Sequence, residues 1–201
     1  RDSLTDPVEC ETALTNGTSD VVFLGRPLIT DAAFPNKAAE GKIENIRYCV
    51  SCNSCWRSII EAGALACDNN PKVGEPDEHF VAPPAVTSRR HVAIVGTGVA
   101  ALEAAHTAAA RGHKVTVLGD HDAFGGKTRL HAQMPGGENL SSVYDYQCLK
   151  AQQLGVKFEL GRQARIEDVL SCDPDVVLLA TGSQSARPEW LPEDWFAQGL
   201  I

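Results

Sequence analysis

The sequence predicts an α/β protein, and three observations predict it. Over residues 91–182, short apolar runs alternate with longer helix-forming stretches, the pattern of a parallel sheet with helices packed on it. A G-x-G-x-x-A turn at residues 96–101 stands between the first such run and the first such helix. Four of the seven cysteines fall within the 19 residues 49–67, just ahead of that region.

The totals limit what the chain can be. Its 201 residues allow one or two domains, and 43% apolar with 22% charged residues is an ordinary globular balance. A formal net charge of −8 gives no broad attraction to nucleic acid or to anionic lipid, so neither is an expected partner. No apolar run approaches the roughly 18 residues of a membrane helix. The alanine-rich stretch 99–110 carries Glu103 and His106 and reads as a packed helix of a soluble protein. No secretory signal is visible, and the chain opens on Arg1 with Met134 as its one methionine, so a piece of a longer protein is expected. An odd count of seven cysteines, four of them clustered, points to metal rather than to disulfides, and hence to a reducing cytoplasm.

Four segments follow one another. Residues 1–46 read as helix (7–14), a stop at Asn16-Gly17, a short strand of buried type (20–24, DVVFL), a break at Gly25-Arg26-Pro27, then loop and short helix. Residues 47–73 hold the cysteine run. Residues 74–90 carry three prolines and no hydrophobic period, and read as a linker. Residues 91–201 are the nucleotide-binding segment. Its expected strands are 91–95, 114–118, 156–160 and 175–179, and its expected helices 99–111 and 140–154. The tail from Ser183, with Trp190 and Trp195, offers no closing element.

The cysteines are spaced C-x2-C-x2-C-x11-C: Cys49, Cys52, Cys55 and Cys67. Three close thiolates wrap three corners of a cubane from one loop, and a fourth returning from a short helix closes it, as iron–sulfur clusters require. Structural zinc more often takes two separated C-x-x-C pairs or Cys/His pairs. No histidine lies between Cys49 and Cys67. A [4Fe–4S] cluster is therefore the expected occupant, and a zinc-stapled nucleotide-binding module without redox work is the rival from another class. Ser51, Asn53 and Ser54 offer hydrogen bonds of the kind that tune a cluster. Cys10, Cys148 and Cys172 stand alone and read as small buried residues.

In Gly96-Thr97-Gly98-Val99-Ala100-Ala101, Gly96 permits the tight turn, Gly98 lets backbone approach a pyrophosphate, and Ala101 lets helix and strand pack closely. The helix N-terminus then offers free N–H groups to the anion. The acidic residue expected at the end of the second strand is displaced: Gly119 takes the slot and Asp120 follows one residue late. Asp120 reaches a ribose only by a small shift; otherwise it is a solvated turn carboxylate. Phe124-Gly125-Gly126-Lys127 after the second strand, and Leu179-Ala180-Thr181-Gly182 at the end of the last, add glycine-bearing turns where a flavin-type domain has them. The segment reads as a Rossmann-like FAD/NAD(P)-type domain.

Residues 20–31 (DVVFLGRPLITD), the cysteine run, Asn70-Pro71 and the GTGVAA turn occur in the order of one family. In that combination the chain resembles the old yellow enzyme-related NADH:flavin oxidoreductases of the trimethylamine dehydrogenase and 2,4-dienoyl-CoA reductase type. The resemblance implies an FMN-bearing (β/α)8 barrel, then a [4Fe–4S] segment, then a domain binding ADP or FAD. It implies that Gly25 and Arg26 close the eighth barrel strand on the FMN phosphate, which suits both the phosphate site of such barrels and the guanidinium fork. Gly126, Lys127, Thr181 and Gly182 then join residues 96–101 and Asp120 as nucleotide contacts.

A barrel needs roughly 250 residues, and 48 precede Cys49. No catalytic residue is therefore assigned, and this piece alone is not expected to turn over substrate. Within the family, the C-x2-C-x2-C-x11-C spacing resembles the amine dehydrogenases. That implies oxidation of an N-methylated amine, with electrons passing from FMN through the cluster to an electron-transfer flavoprotein or similar carrier. The alternative runs the other way, from NAD(P)H to an enoyl thioester. The substrate is a small molecule in either case, and a homo-oligomer is compatible with both.

Overall fold

The computed structural model describes residues 4–76, 78, 84–183, 186 and 189–190. Trp195, the rest of the tail and residues 77 and 79–83 of the linker lie outside the described residues. Strands β1 (His91–Val95), β2 (Lys114–Leu118), β3 (Lys157–Glu159) and β4 (Val176–Leu179) form one sheet in the order β3-β2-β1-β4. Every pair is parallel, with Ile94 opposite both Val117 and Leu178. β1 and β2 occupy the residues the sequence predicts. β3 and β4 are shorter than expected, because each pairs along one edge only.

Parallel strands need crossovers, and helices supply them. Helix α5 (Val99–Ala110) joins β1 to β2, and α7 (Ser141–Gln153) leads into β3. Alanine dominates α5, so it lies close on the sheet, with Ala101, Leu102 and Ala105 fully buried. Ala101 and Ala105 pack with Ile94, Val115, Val117, Ala151 and Val156 as one core. A short helix α6 (Gly126–Ala132) and a 3-10 turn precede α7, and α8 (Ile166–Ser171) precedes β4.

Among the described residues, four α-helices and one 3-10 turn lie ahead of this domain. In α1 (Pro7–Thr15), Asp6 caps the Val8 N–H at 2.6 Å and Pro7 sits in the first turn, where no N–H is missed. α2 (Arg26–Thr30) and α3 (Phe34–Ala39) are short. α4 (Ser54–Ala62) carries Cys55 in its first turn, ends before Cys67 and stops at Gly63, whose φ of 67° is left-handed.

The expected strand at residues 20–24 does not form. Residues 20–24 carry no strand assignment, and Phe23 is 92% exposed. An apolar strand is stable only with a ladder partner and a covered face. Among the described residues none of the four strands lies beside it, so the barrel end expected for residues 1–46 has no strand here.

Leu102 of α5 is fully buried. Leu102→Ala is expected to cost about 3 kcal/mol, seen as a lower denaturant midpoint at unchanged slope.

Candidate functional site

Three glycine-bearing turns meet at the carboxyl edge of the sheet, where ligands of open parallel sheets bind. The turn after β1 is held on both sides: Gly96 N–H donates to the Leu118 carbonyl at 2.8 Å, and Ala180 N–H to the Val95 carbonyl at 2.8 Å. Gly96 has φ 124°, and a Cβ there would overlap the Ala180 carbonyl oxygen, so only glycine fits. Gly98 differs. Its φ is −74°, and a Cβ on it would meet nothing within 4 Å. Protein packing does not demand this glycine; open space above the start of α5 is what it provides. Gly98 also caps α5 without a side-chain hydrogen bond, leaving the first N–H groups of the helix for an anion.

The second turn packs against the first. Gly125 N–H donates to the Thr97 carbonyl at 2.9 Å, and Gly125 bridges Gly98. A Cβ on Gly125 would stand 2.6 Å from the Tyr144 ring, and one on Gly126 would stand 3.1 Å from the Gly98 Cα. Lys127 Nζ donates to Ser183 Oγ at 3.0 Å, linking the second turn to the third, which holds Thr181 and Gly182. The structure thus brings together Gly96, Gly98, Val99, Ala100, Ala101, Gly126, Lys127, Thr181 and Gly182 at one edge. Asp120 is 62% exposed, its carboxylate 3.3 Å from His121 Nδ1, so its side chain faces solvent. Gly119 stands before it because a Cβ there would overlap the Thr97 methyl.

The cysteine run lies on the other segment. Ser51 and Asn53, with φ of 58° and 60°, bend the loop between Cys49 and Cys55. Ser51 N–H points to Cys49 Sγ at 3.4 Å, Cys67 Sγ is 3.8 Å from Thr30 Oγ1, and Cys55 is buried in the first turn of α4. All four thiols are free, and among the described residues no three His, Cys, Asp or Glu form a group that could hold a metal ion. Arg26 reaches this loop, donating from Nη1 to Asn53 Oδ1 at 2.7 Å. Gly25, Arg26, Ile29, Asn53, Cys55 and Trp56 line a pocket of about 610 Å³. The arginine expected at a phosphate and one of the cysteines expected to hold a cluster therefore share one cavity. Of the lone cysteines, burial pushes the Cys10 and Cys148 thiols up, with help from neighbouring carboxylates, which favours the unreactive form.

Sequence reading missed the contact that joins the two segments. Arg47, 8% exposed, projects its guanidinium onto α5. Its Nη2 donates to Glu103 Oε1 at 3.1 Å and Oε2 at 3.3 Å. His106 Nε2 stands 3.0 Å from the same carboxylate, and Gln147 Nε2 donates to it at 2.8 Å. The Tyr146 ring lies 4.4 Å from the guanidinium carbon. Burial raises the Glu103 pKa, but the His106 hydrogen bond, the Arg47 charge and Gln147 outweigh it and hold the carboxyl at about 2. One signal was available: Glu103 and His106, three residues apart, are polar on an otherwise alanine-rich helix.

A four-stranded parallel sheet with this glycine turn after its first strand defines a dinucleotide-binding domain. The family model described as "Pyridine nucleotide-disulphide oxidoreductase" matches residues 90–198, and the chain belongs to that family. Over 173 residues it is 36% identical to a "Probable N-methylproline demethylase" of Rhizobium meliloti (strain 1021), covering 85% of this chain and 25% of that protein. It is also 36% identical over 185 residues to a "Cinnamate reductase" of Clostridium sporogenes, covering 89% and 27%. The solved histamine dehydrogenase of Rhizobium sp. 4-9 superposes with a TM-score of 0.86 at 30% identity, over 92% of this chain and 27% of that one. The chain spans about a quarter of the length of these relatives. The demethylase, the reductase and the dehydrogenase all bear out the resemblance carried by the motifs. Among the described residues no helix is long and apolar enough to cross a membrane.

The two glycines of the first turn are expected to separate by experiment. Gly96→Ala meets the Ala180 carbonyl and should cost about 1–3 kcal/mol of stability. Gly98→Ala should leave stability within about 0.5 kcal/mol yet weaken ADP binding, measured by calorimetric titration. Glu103 predicts acid sensitivity. Its folded pKa lies below the ordinary 4.5, so its contribution is complete above that value and is lost as pH falls through about 2. The loss should approach about 3 kcal/mol, and Glu103→Gln should flatten the denaturant midpoint over that range.

Proposed function

We propose that the chain is the cluster-bearing and nucleotide-binding part of an iron–sulfur flavoprotein oxidoreductase that oxidises an N-methylated amine. Cys49, Cys52, Cys55 and Cys67 would hold a [4Fe–4S] cluster. Residues 96–101, with Gly126, Lys127, Thr181 and Gly182, would hold the diphosphate of ADP or FAD, and Asp120 would serve the ribose. Gly25 and Arg26 would contact the phosphate of an FMN seated on a (β/α)8 barrel, of which residues 1–46 would be the closing unit.

The observation that carries this reading is the shared pocket, where Arg26 and Cys55 line one cavity and Asn53 links the arginine to the cysteine loop. A phosphate held there puts its flavin beside the cluster. The donor set fits: four thiols, a backbone N–H on Cys49 and a hydroxyl near Cys67. A cluster gathers its ligands as it binds, so free thiols in a short loop are the expected starting state. When bound, the group would split a two-electron oxidation into single electrons for a carrier such as an electron-transfer flavoprotein. The protein's own part is to fix the phosphate through Arg26, to shield the sulfurs with Trp56 and α4, and to hold the nucleotide on α5. The cytoplasm suits such thiols. A second reading, an enoate reductase fed by NAD(P)H, is favoured by the likeness to the cinnamate reductase.

Anaerobic reconstitution of this chain is expected to give about four irons and four sulfides per chain with a broad visible absorption, and Cys52→Ser or Cys67→Ser should lower both. Zinc alone, with no colour, would exclude electron transfer. In the whole protein, amine-dependent reduction of a dye without NADPH oxidation supports the first reading; NADPH oxidation with an enoate supports the second.

A further inference from the structure

We propose that Glu103 is a positioning residue for the cysteine run: acting through Arg47, it lets the helix that opens at the nucleotide turn also set the spacing of Cys49 and Cys67. The proposal rests on the reading of those cysteines as cluster ligands.

Arg47 lies two residues before Cys49, and Asn69 lies two residues after Cys67. Arg47 Nη1 donates to the Asn69 carbonyl, and Asn69 Nδ2 donates to the Tyr48 carbonyl at 2.8 Å. The entry and exit of the run are thus tied together within the run itself. The Arg47 backbone is fixed as well, its N–H donating to Asp31 Oδ2 at 2.9 Å. What fixes the far end of the guanidinium is Glu103, which accepts from Nη2 with both oxygens. His106 and Gln147 hold that carboxylate in turn, and the Tyr146 face limits how the guanidinium can rotate. Without Glu103 a buried cation loses its counter-charge and turns toward water, drawing Nη1 off the Asn69 carbonyl. The exit segment that carries Cys67 is then free to drift from Cys49. Outer contacts of this kind orient metal ligands and govern metal retention. Glu103 stands on the second turn of α5, one turn beyond the Gly98 cap, so one rigid helix serves both sites.

The test uses the full chain, reconstituted anaerobically with ferrous iron and sulfide, as wild type, Glu103→Ala, Glu103→Gln, Arg47→Lys and Glu61→Gln. The last removes an exposed pair with Arg57 on α4 and serves as control. Glu103→Ala should lose its cluster to a chelator about 10- to 100-fold faster than wild type. Glu103→Gln keeps an acceptor for Arg47 but not the charge, so it should hold more iron than Glu103→Ala while its reduction potential moves positive, a shift that a purely structural role would not produce. Arg47→Lys should speed chelation, because an ammonium cannot bridge Asn69 and Glu103 as a fork does. Glu61→Gln should match wild type. If Glu103→Ala does not fold, Glu103→Gln and Arg47→Lys decide the matter. A wild type that holds its cluster, with both of those variants unchanged in potential and chelation rate, overturns the positioning role alone. A wild type without iron and sulfide, its ADP binding intact, overturns the cluster reading and this proposal with it.

Discussion

A guanidinium buried to 8% exposure must find its counter-charge inside the protein, and Arg47 finds it across the boundary between two segments. A lone charge in that position would cost several kcal/mol. The pair therefore constrains where the cysteine segment can sit: any docking that moved it from α5 would strand the charge. Lys37 and Lys150 approach the same Tyr146 ring at 5.9 and 5.8 Å, and Lys37 is bound by Asp31. Burial and Lys37 push the Lys150 pKa down, as expected where cations crowd one ring. The junction is polar and tightly paired, unlike the apolar core beneath β1 and β2, and such a network fixes one orientation as well as contributing stability.

The second constraint lies at the carboxyl edge of the sheet. Gly96 lets β1 end against the Ala180 carbonyl, and that contact sets where the turns after β1 and β4 meet. Gly98, by contrast, is free of packing demands. The difference distinguishes a glycine that the fold requires from one that the packing leaves free.

Much of this was legible in the sequence. β1 and β2 appear at the predicted residues because β-branched runs between a charged linker and glycine turns have few alternatives. The three glycine turns were legible as separate motifs, and their meeting follows from parallel topology. The strand expected at residues 20–24 was not realised, since periodicity reports an apolar face but not whether a partner strand covers it. The Arg47–Glu103 pair was hidden for another reason. Its members are 56 residues apart, and neither belongs to a motif. Only the position of Glu103 and His106 on an alanine-rich helix hinted that this face meets something polar. Asn53 was legible as a small polar residue near the sulfurs, but its role as the acceptor for Arg26 depends on the left-handed backbone that turns it toward the pocket.

The electrostatics of the junction also say what kind of link it is. With its carboxyl held at about 2, Glu103 stays ionised across the physiological pH range, and a guanidinium does not deprotonate. The bond between the segments is therefore permanent rather than switched. An interaction that never changes state cannot signal whether a nucleotide is bound; it can only hold geometry. Geometry is what a short cysteine loop lacks on its own, because Ser51 and Asn53 bend it through left-handed backbone that glycine-free sequences avoid. A constitutive clamp at the ends of such a loop supplies from outside the order that its interior residues do not provide.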